Sequence, residues 1–287
     1  MIWNKVNAGD AVQHIKNLKD DSIDCVLIDP PYNIGVDFGN NKTKESISEY
    51  VSWCKEWLHE CERVLHPRGT LFVYGFSEIL AHISVNMNLD HRWLVWHYTN
   101  KTVPSLNFWQ RSHESILCAW KRKDSRVFNR DAVREPYTEN FVKGYKGKNR
   151  TRPNSKGRFD SGASTSYNVN DLGALPRDVL KVSSLAGGAG MKERIGWCND
   201  CNTSFFGKEY KEHKDHDHFK HPTQKPMDLT RKLFSSCMPQ DERGKILIPF
   251  AGTGSECAIA KEMGHDYIAF DLNEKYATMA NDFIRKF

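Results

Sequence analysis

Four apolar residues, Cys25-Val26-Leu27-Ile28, run straight into Asp29-Pro30-Pro31-Tyr32. A short, unbroken apolar run is the pattern of a strand buried on both faces, as in the centre of a parallel sheet. Proline lacks the ladder N–H and fixes φ, so two in succession end the strand. The segment thus places a carboxylate, a carbonyl and an aromatic ring just past a strand's carboxyl end, where open α/β sheets bind ligands.

A second strand end complements it. Residues 246–255 read ILIPFAGTGS, an apolar strand entering a glycine-bearing turn and then a helix. Gly252 and Gly254 let the backbone turn sharply and approach a ligand, while the helix start presents free N–H groups. Asp271 ends the next strand, about twenty residues on, where an acid can accept hydrogen bonds from ribose hydroxyls. The turn lacks both the third glycine of a dinucleotide site and the Gly-Lys-Ser/Thr of a phosphate grip. A phosphate-free nucleoside cofactor, S-adenosylmethionine, fits this turn; the alternative is a tight strand–helix turn that binds nothing.

Between these ends, strand patterns at 70–75, 93–98 and 115–121 alternate with helical periodicity at 46–65 and near 77–87. Pro67-Arg68-Gly69 is read as the break between a helix and a strand. After residue 226 the order resumes with a helix at 227–238, strands at 245–250 and 266–271, and a helix at 275–286. The alternation predicts an α/β fold, a doubly wound and mostly parallel sheet. The two α/β blocks, 1–121 and 221–287, flank an irregular insert, 122–220.

Charge is concentrated in that insert. Residues 121–160 hold thirteen Lys and Arg against five Asp and Glu, +8, whereas the remainder of the chain carries −3 within a net +5. Such a segment can neutralise phosphates, and Lys143, Lys146, Lys148, Arg150, Arg152, Lys156 and Arg158 are its candidate DNA contacts. No stretch resembles a signal peptide or a membrane span. The eight cysteines, mostly inside apolar patterns, suit reduced thiols in the cytoplasm.

Taken together, Asp29–Tyr32 ahead of Phe250–Gly254 resembles the amino-methylating DNA methyltransferases of the beta-type order. NAGDAVQHIKNLKDDSIDCVLIDPPYNIG, HPRGTLFVYG, NFWQRSHESILCAWK and HPTQKP resemble further motifs of that family, in one order. The resemblance covers about 1–121 and 221–287. It implies a methyltransferase sheet, S-adenosylmethionine as cofactor, double-stranded DNA as substrate, and a bacterial or phage-encoded cytoplasmic enzyme. It implies cofactor contacts from Asp10, Lys225, Pro226, Phe250, Ala251, Gly252, Thr253, Gly254, Ser255 and Asp271, although Gly9-Asp10 is equally a plain turn. A homodimer and a cognate restriction endonuclease are left open. The acid the family often carries two residues before the loop phenylalanine is here Ile248.

The chemistry suits those residues. An exocyclic amine is a poor nucleophile because its lone pair is delocalised into the ring. Acceptors at Asp29 and the Pro30 carbonyl can hold its two N–H groups and free that pair, with Pro31 and Tyr32 completing the catalytic segment. The base must leave the stacked duplex, and Tyr32 can stack on it for ~1–3 kcal/mol. In the family an initial Asp goes mostly with adenine N6 and Ser with cytosine N4. Adenine N6 is therefore the expected target, cytosine N4 the alternative, and an inactive zinc-containing DNA-binding protein the second alternative.

The insert ends in CNDCNTSFFGKEYKEHKDHDHFKH, 198–221. Cys198 and Cys201 have zinc-ligand spacing. Eleven residues separate Cys201 from His213 and four separate His213 from His218, close to a small C2H2 finger. A structural Zn²⁺ on Cys198, Cys201, His213 and His218 is the expectation, with His216 as the alternative fourth ligand.

Overall fold

The short apolar runs become strands of one sheet. The computed structural model describes residues 1–35, 45–100, 104–145, 150–151, 166–167, 170–188 and 190–287. They divide into one unit of 1–128 with 178–287 and a second of 129–177.

The first unit begins with β1 (Val6–Ala8), α1 (Ala11–Ile15), β2 (Ile23–Ile28), α2 (Ile47–Val64), β3 (Leu65–Gly75), α3 (Ser77–Ser84), β4 (Asp90–His97) and β5 (His113–Trp120). The second unit carries α4 (Glu139–Tyr145) and the two-residue strands β6 (Arg150–Thr151) and β7 (Ser166–Tyr167), paired antiparallel. The Arg134 guanidinium donates to the Gly173 carbonyl at 2.7 Å, and the Tyr137 and Phe141 rings stack at 4.4 Å within it.

The first unit resumes with β8 (Val179–Lys181), α5 (Gly190–Glu193), β9 (Ile195–Cys198), β10 (Thr203–Phe206), α6 (Tyr210–His213), β11 (His218–Lys220), α7 (Met227–Cys237), β12 (Lys245–Ile248), α8 (Ser255–Glu262), β13 (Asp266–Asp271) and α9 (Glu274–Lys286). Its main sheet has the order β1-β13-β12-β2-β3-β5-β4-β8. Pairing is parallel from β1 through β3 and between β4 and β8; only β5 runs against its neighbours. The mostly parallel sheet expected from the alternation is present, with β5 reversed.

Strand alternation feeds two cores. Val26 and Ile28 of β2 and Leu247 of β12 face Val12, Ile15, Trp57, Leu58 and Leu80 from α1, α2 and α3. Cys25, Leu27, Ile246 and Ile248 face Leu229, Leu233, Phe234, Ile259, Ala280 and Phe283 from α7, α8 and α9. The sheet is thus wound on both sides. Helix α2 starts at a capping box, with Ser46 and Glu49 satisfying each other's backbone N–H, the arrangement worth roughly 0.5–2 kcal/mol at a helix start. Pro67-Arg68-Gly69 is not the expected break: β3 begins at Leu65, and its pairing passes from Ile23↔Leu65 to Cys25↔Thr70. The strand absorbs the proline as an irregularity, where no ladder N–H is needed.

A three-stranded antiparallel ribbon, β10-β9-β11, packs on α9. Among the described residues no helix is long and apolar enough to cross a membrane.

Candidate active site

Strands β2 and β12 are parallel neighbours, Cys25 opposite Ile246 and Val26 opposite Leu247. Their carboxyl ends therefore open on one edge of the sheet. Asp29, Pro30, Pro31 and Tyr32 from the first, and Phe250, Ala251, Gly252, Thr253 and Ser255 from the second, line a single cleft of ≈ 990 Å³ including its open mouth. Lys225 ahead of α7 and Asp271 at the end of β13 line it as well.

The proline-rich end is held by side chains. The Tyr50 hydroxyl of α2 donates to the Pro31 carbonyl at 2.7 Å. No described residue hydrogen-bonds the Pro30 carbonyl. Lys225 Nζ lies 2.8 and 2.9 Å from the two Asp29 oxygens and 3.7 Å from Glu114 Oε2. Burial acts to lower the lysine's pKa, but Asp29 and Glu114 outweigh it, and the net shift is upward. The ammonium thus remains charged. The Tyr32 hydroxyl is 2.9 Å from Asp29 Oδ1 and 3.1 Å from Glu114 Oε2, and its one proton serves one acceptor at a time. Burial, then the charges of Asp29 and Glu114, push the phenol well above its usual range. Tyr32 is a neutral donor there, its ring edge-on to Phe76 at 5.1 Å.

The glycine-rich end is shaped by backbone. Gly252 and Gly254 have φ of 50° and 77°, values that L side chains adopt at a cost. A Cβ on Gly254 would stand 2.8 Å from the Ala280 Cβ. The Gly252 N–H donates to Asp271 Oδ2 at 2.9 Å and the Asn273 N–H to Oδ1 at 2.8 Å. Burial raises the Asp271 pKa to about 6, with these two backbone bonds opposing it. Glu256, in the first turn of α8, also lines the cleft. Its Oε2 accepts from Ser255 Oγ at 2.8 Å, and burial followed by the Asp29 charge raises its pKa to about 7. Trp53 and Phe250 meet at 5.6 Å, and Tyr276 faces His221 at 4.6 Å, giving the cleft flat apolar walls.

Other expected site residues fall elsewhere. Asp10 caps α1, its Oδ1 accepting from the Val12 N–H at 2.8 Å, and is not among the cleft's lining residues. Pro226 stands at the start of α7 and Gly254 at the start of α8, both behind the lining. Lys143 lies exposed on α4, 3.8 Å from Glu139. Arg150 begins the short strand β6; Lys146, Lys148, Arg152, Lys156 and Arg158 lie outside the described residues.

Cys198, Cys201 and His213 converge, but the fourth residue with them is His216. His218 begins β11 and turns away: its Nδ1 meets the His216 carbonyl at 2.8 Å and its ring packs on Phe205 and Tyr210. Sequence reasoning missed Glu256. An acid directly after GTGS was the available signal. It also did not pair Lys225 with Asp29, a contact across 196 positions.

A family model described as DNA methylase, of N6/N4 type, matches residues 23–282. The Type II methyltransferase M.HpaI of Haemophilus parainfluenzae is 27% identical over 277 residues, covering 95% of this chain and 71% of that protein. The DNA adenine methyltransferase YhdJ of Escherichia coli is 26% identical over 278 residues, covering 94% and 79%. Among solved structures, the cytosine-N4-specific PvuII DNA methyltransferase superposes with a TM-score of 0.63 at 13% identity, over 97% of this chain and 85% of that one. The complex of M1.HpyAVI with SAM superposes with a TM-score of 0.52 at 18% identity, over 96% and 97%.

Proposed function

Since the chain belongs to the DNA methylase family of N6/N4 type, we propose that it moves the methyl group of S-adenosylmethionine to N6 of adenine in double-stranded DNA. The observation that carries this reading is the single cleft onto which Asp29–Tyr32 and the glycine loop both open.

The donor set fits the cofactor. Asp271 and the backbone of Gly252 form a polar corner, while Trp53, Phe250 and Tyr276 supply apolar planes. The carboxylates of Asp29, Glu256 and Asp271 suit a cationic ligand. When bound, the cofactor supplies an activated sulfonium methyl, so the chain's own work is positioning and charge stabilisation.

On the base side, Asp29 and the Pro30 carbonyl each accept one N–H of the amine. Lys225 keeps Asp29 ionised and fixed, and Tyr50 anchors Pro31 so that the Pro30 carbonyl faces the cleft. Asp29 is also the nearest acceptor for the proton the methylated amine sheds. Tyr32 stacks on the extruded ring. The first-position Asp and the name of YhdJ favour adenine; the PvuII relative keeps cytosine N4 as the second reading.

DNA phosphates are met by the basic stretch 121–160, Lys143 among its members. The Type II names of M.HpaI and M.HinfI support a bacterial cytoplasmic setting beside a restriction endonuclease. A structural Zn²⁺ belongs to the same reading, supported by the convergence of Cys198, Cys201, His213 and His216. The test is mass spectrometry of nucleosides from DNA incubated with protein and methyl-labelled S-adenosylmethionine. Labelled N6-methyladenine is expected. N4-methylcytosine overturns the choice of base, and no labelled nucleoside overturns the activity.

A further inference from the structure

The ribbon β10-β9-β11 has a cysteine–histidine cluster at one end and the wall of the cleft at the other. At the cluster, one ligand atom from each of Cys198, Cys201, His213 and His216 lies within 4.8 Å of the other three. His216 Nδ1 is 3.2 Å from Cys201 Sγ and 3.4 Å from Cys198 Sγ. Bonds of about 2.3 Å to sulfur and 2.0–2.1 Å to nitrogen give a tetrahedral S–N edge of about 3.5 Å, so these spacings already match zinc. Two thiolates and two imidazoles select Zn²⁺ over the oxygen-seeking cations. The Cys201 N–H donates to Cys198 Sγ at 3.4 Å, as expected of a sulfur held as thiolate. His213 Nδ1 is buried with no hydrogen-bond partner among the described residues.

Two paths lead from the cluster to the cleft. Strand β11 follows His216 directly and delivers His221, whose Nε2 would lie 3.2 Å from a Cβ on Gly252 of the glycine loop. Strand β9 ends at Cys198 and begins at Ile195, whose N–H donates to Gln224 Oε1 at 3.0 Å. Gln224 Nε2 donates back to the Glu193 carbonyl at 2.8 Å. The clamped glutamine directly precedes Lys225, the cation on Asp29.

The ribbon's strands are not secured alike. β10 is fixed to α9 without any metal: Asp282 accepts from the Ser204 N–H and Ser204 Oγ, each at 2.8 Å. β11 is a three-residue edge strand paired only with β9, through His218↔Cys198, Phe219↔Trp197 and Lys220↔Gly196. A strand that short is marginal alone. A bond from His216 to a metal held by Cys198 and Cys201 would staple its start to the β9–β10 turn.

We infer that Zn²⁺ on Cys198, Cys201, His213 and His216 fixes β11 and thereby positions His221, Gln224 and Lys225, making the cofactor wall dependent on a metal outside the cleft. This rests on the methyltransferase reading only where the cofactor is the readout.

The test uses full-length protein, as purified, after chelation, and after zinc is restored. One zinc per chain is expected, as are the visible bands of a tetrahedral thiolate–imidazole site on Co²⁺ exchange. Removing the metal is expected to speed amide exchange at least tenfold in 216–226 but not in β2 or β12. It is also expected to raise the Kd for S-adenosylmethionine tenfold or more, with restoration by zinc. Cys201→Ser is expected to lose the metal and behave as the chelated protein. Gln224→Ala is expected to keep the zinc and weaken cofactor binding severalfold. Absence of bound zinc before and after its addition overturns the inference, as does metal loss with unchanged exchange in 216–226. If exchange responds but the intact protein binds no S-adenosylmethionine, the positioning holds and the functional reading is what fails.

Discussion

The two strand ends that make the cleft are adjacent and parallel, yet one ends in prolines and the other in glycines. The proline end presents fixed side chains and one carbonyl, braced by Tyr50 and Lys225. The glycine end presents backbone, bent through left-handed φ values and tied to Asp271 by N–H groups. Rigid side-chain acceptors suit the reacting amine, whose two N–H groups must be held. A close-fitting backbone suits a ligand that is bound largely by shape. The difference teaches that one sheet edge can divide chemistry from cofactor retention by choosing between the two residues that break a strand.

Each half can be attacked separately. The largest effect is expected from Lys225→Met, which leaves buried Asp29 and Glu114 without their cation. Breaking such a pair costs ~3–5 kcal/mol, read by urea unfolding. Methyl transfer should fall more than tenfold at neutral pH and partly recover as pH rises, because Asp29 loses the charge that favours its ionised form. Gly254→Val attacks the other half. A left-handed φ and a Cβ 2.8 Å from Ala280 together cost about 2–3 kcal/mol. Calorimetry should show S-adenosylmethionine binding weakened by tens of fold or more, and unchanged affinity would remove the glycine loop from the cofactor site.

A smaller effect concerns pH. Glu256 has an ordinary value of 4.5 and sits at about 7 in the fold, so the folded chain binds more protons than the unfolded chain between those values. Stability of the ligand-free protein should fall as pH rises through that window, by ~1–3 kcal/mol. Asp271, raised to about 6, adds the same sign. Unfolding at about pH 5 and pH 8 checks this, and Glu256→Gln should flatten the slope. The smallest effect is expected from Tyr32→Phe. It keeps the ring and loses one hydroxyl contact, ~0.5–1.5 kcal/mol, so single-turnover transfer should drop less than tenfold. A thousandfold loss would mean that the hydroxyl, not the ring, carries the role.

Local chemistry was legible in the sequence; contacts between distant segments were not. An apolar run cut by prolines and another cut by glycines located both strand ends and the doubly wound sheet. Nothing in HPTQKP says that Lys225 reaches Asp29, because that contact exists only once α7 and β2 pack together. Asp10 looked like a cofactor ligand, yet its position before a helix makes it a cap. The fourth residue at the cysteines followed from the ribbon rather than from finger spacing. Once β11 starts at His218, that ring is turned onto Phe205, and His216 in the preceding turn meets the sulfurs. The same lack of local signal hid the irregularity by which β3 tolerates Pro67.

The division of labour is tested most directly by Asp29→Ala, measured twice on one preparation: S-adenosylmethionine affinity by calorimetry and methyl transfer to DNA in a single turnover. The expected result is a Kd within about threefold of the unmodified protein and a transfer rate lower by about a thousandfold or more. Transfer within tenfold of the unmodified rate, or a cofactor affinity that falls as far as the rate, would contradict the account.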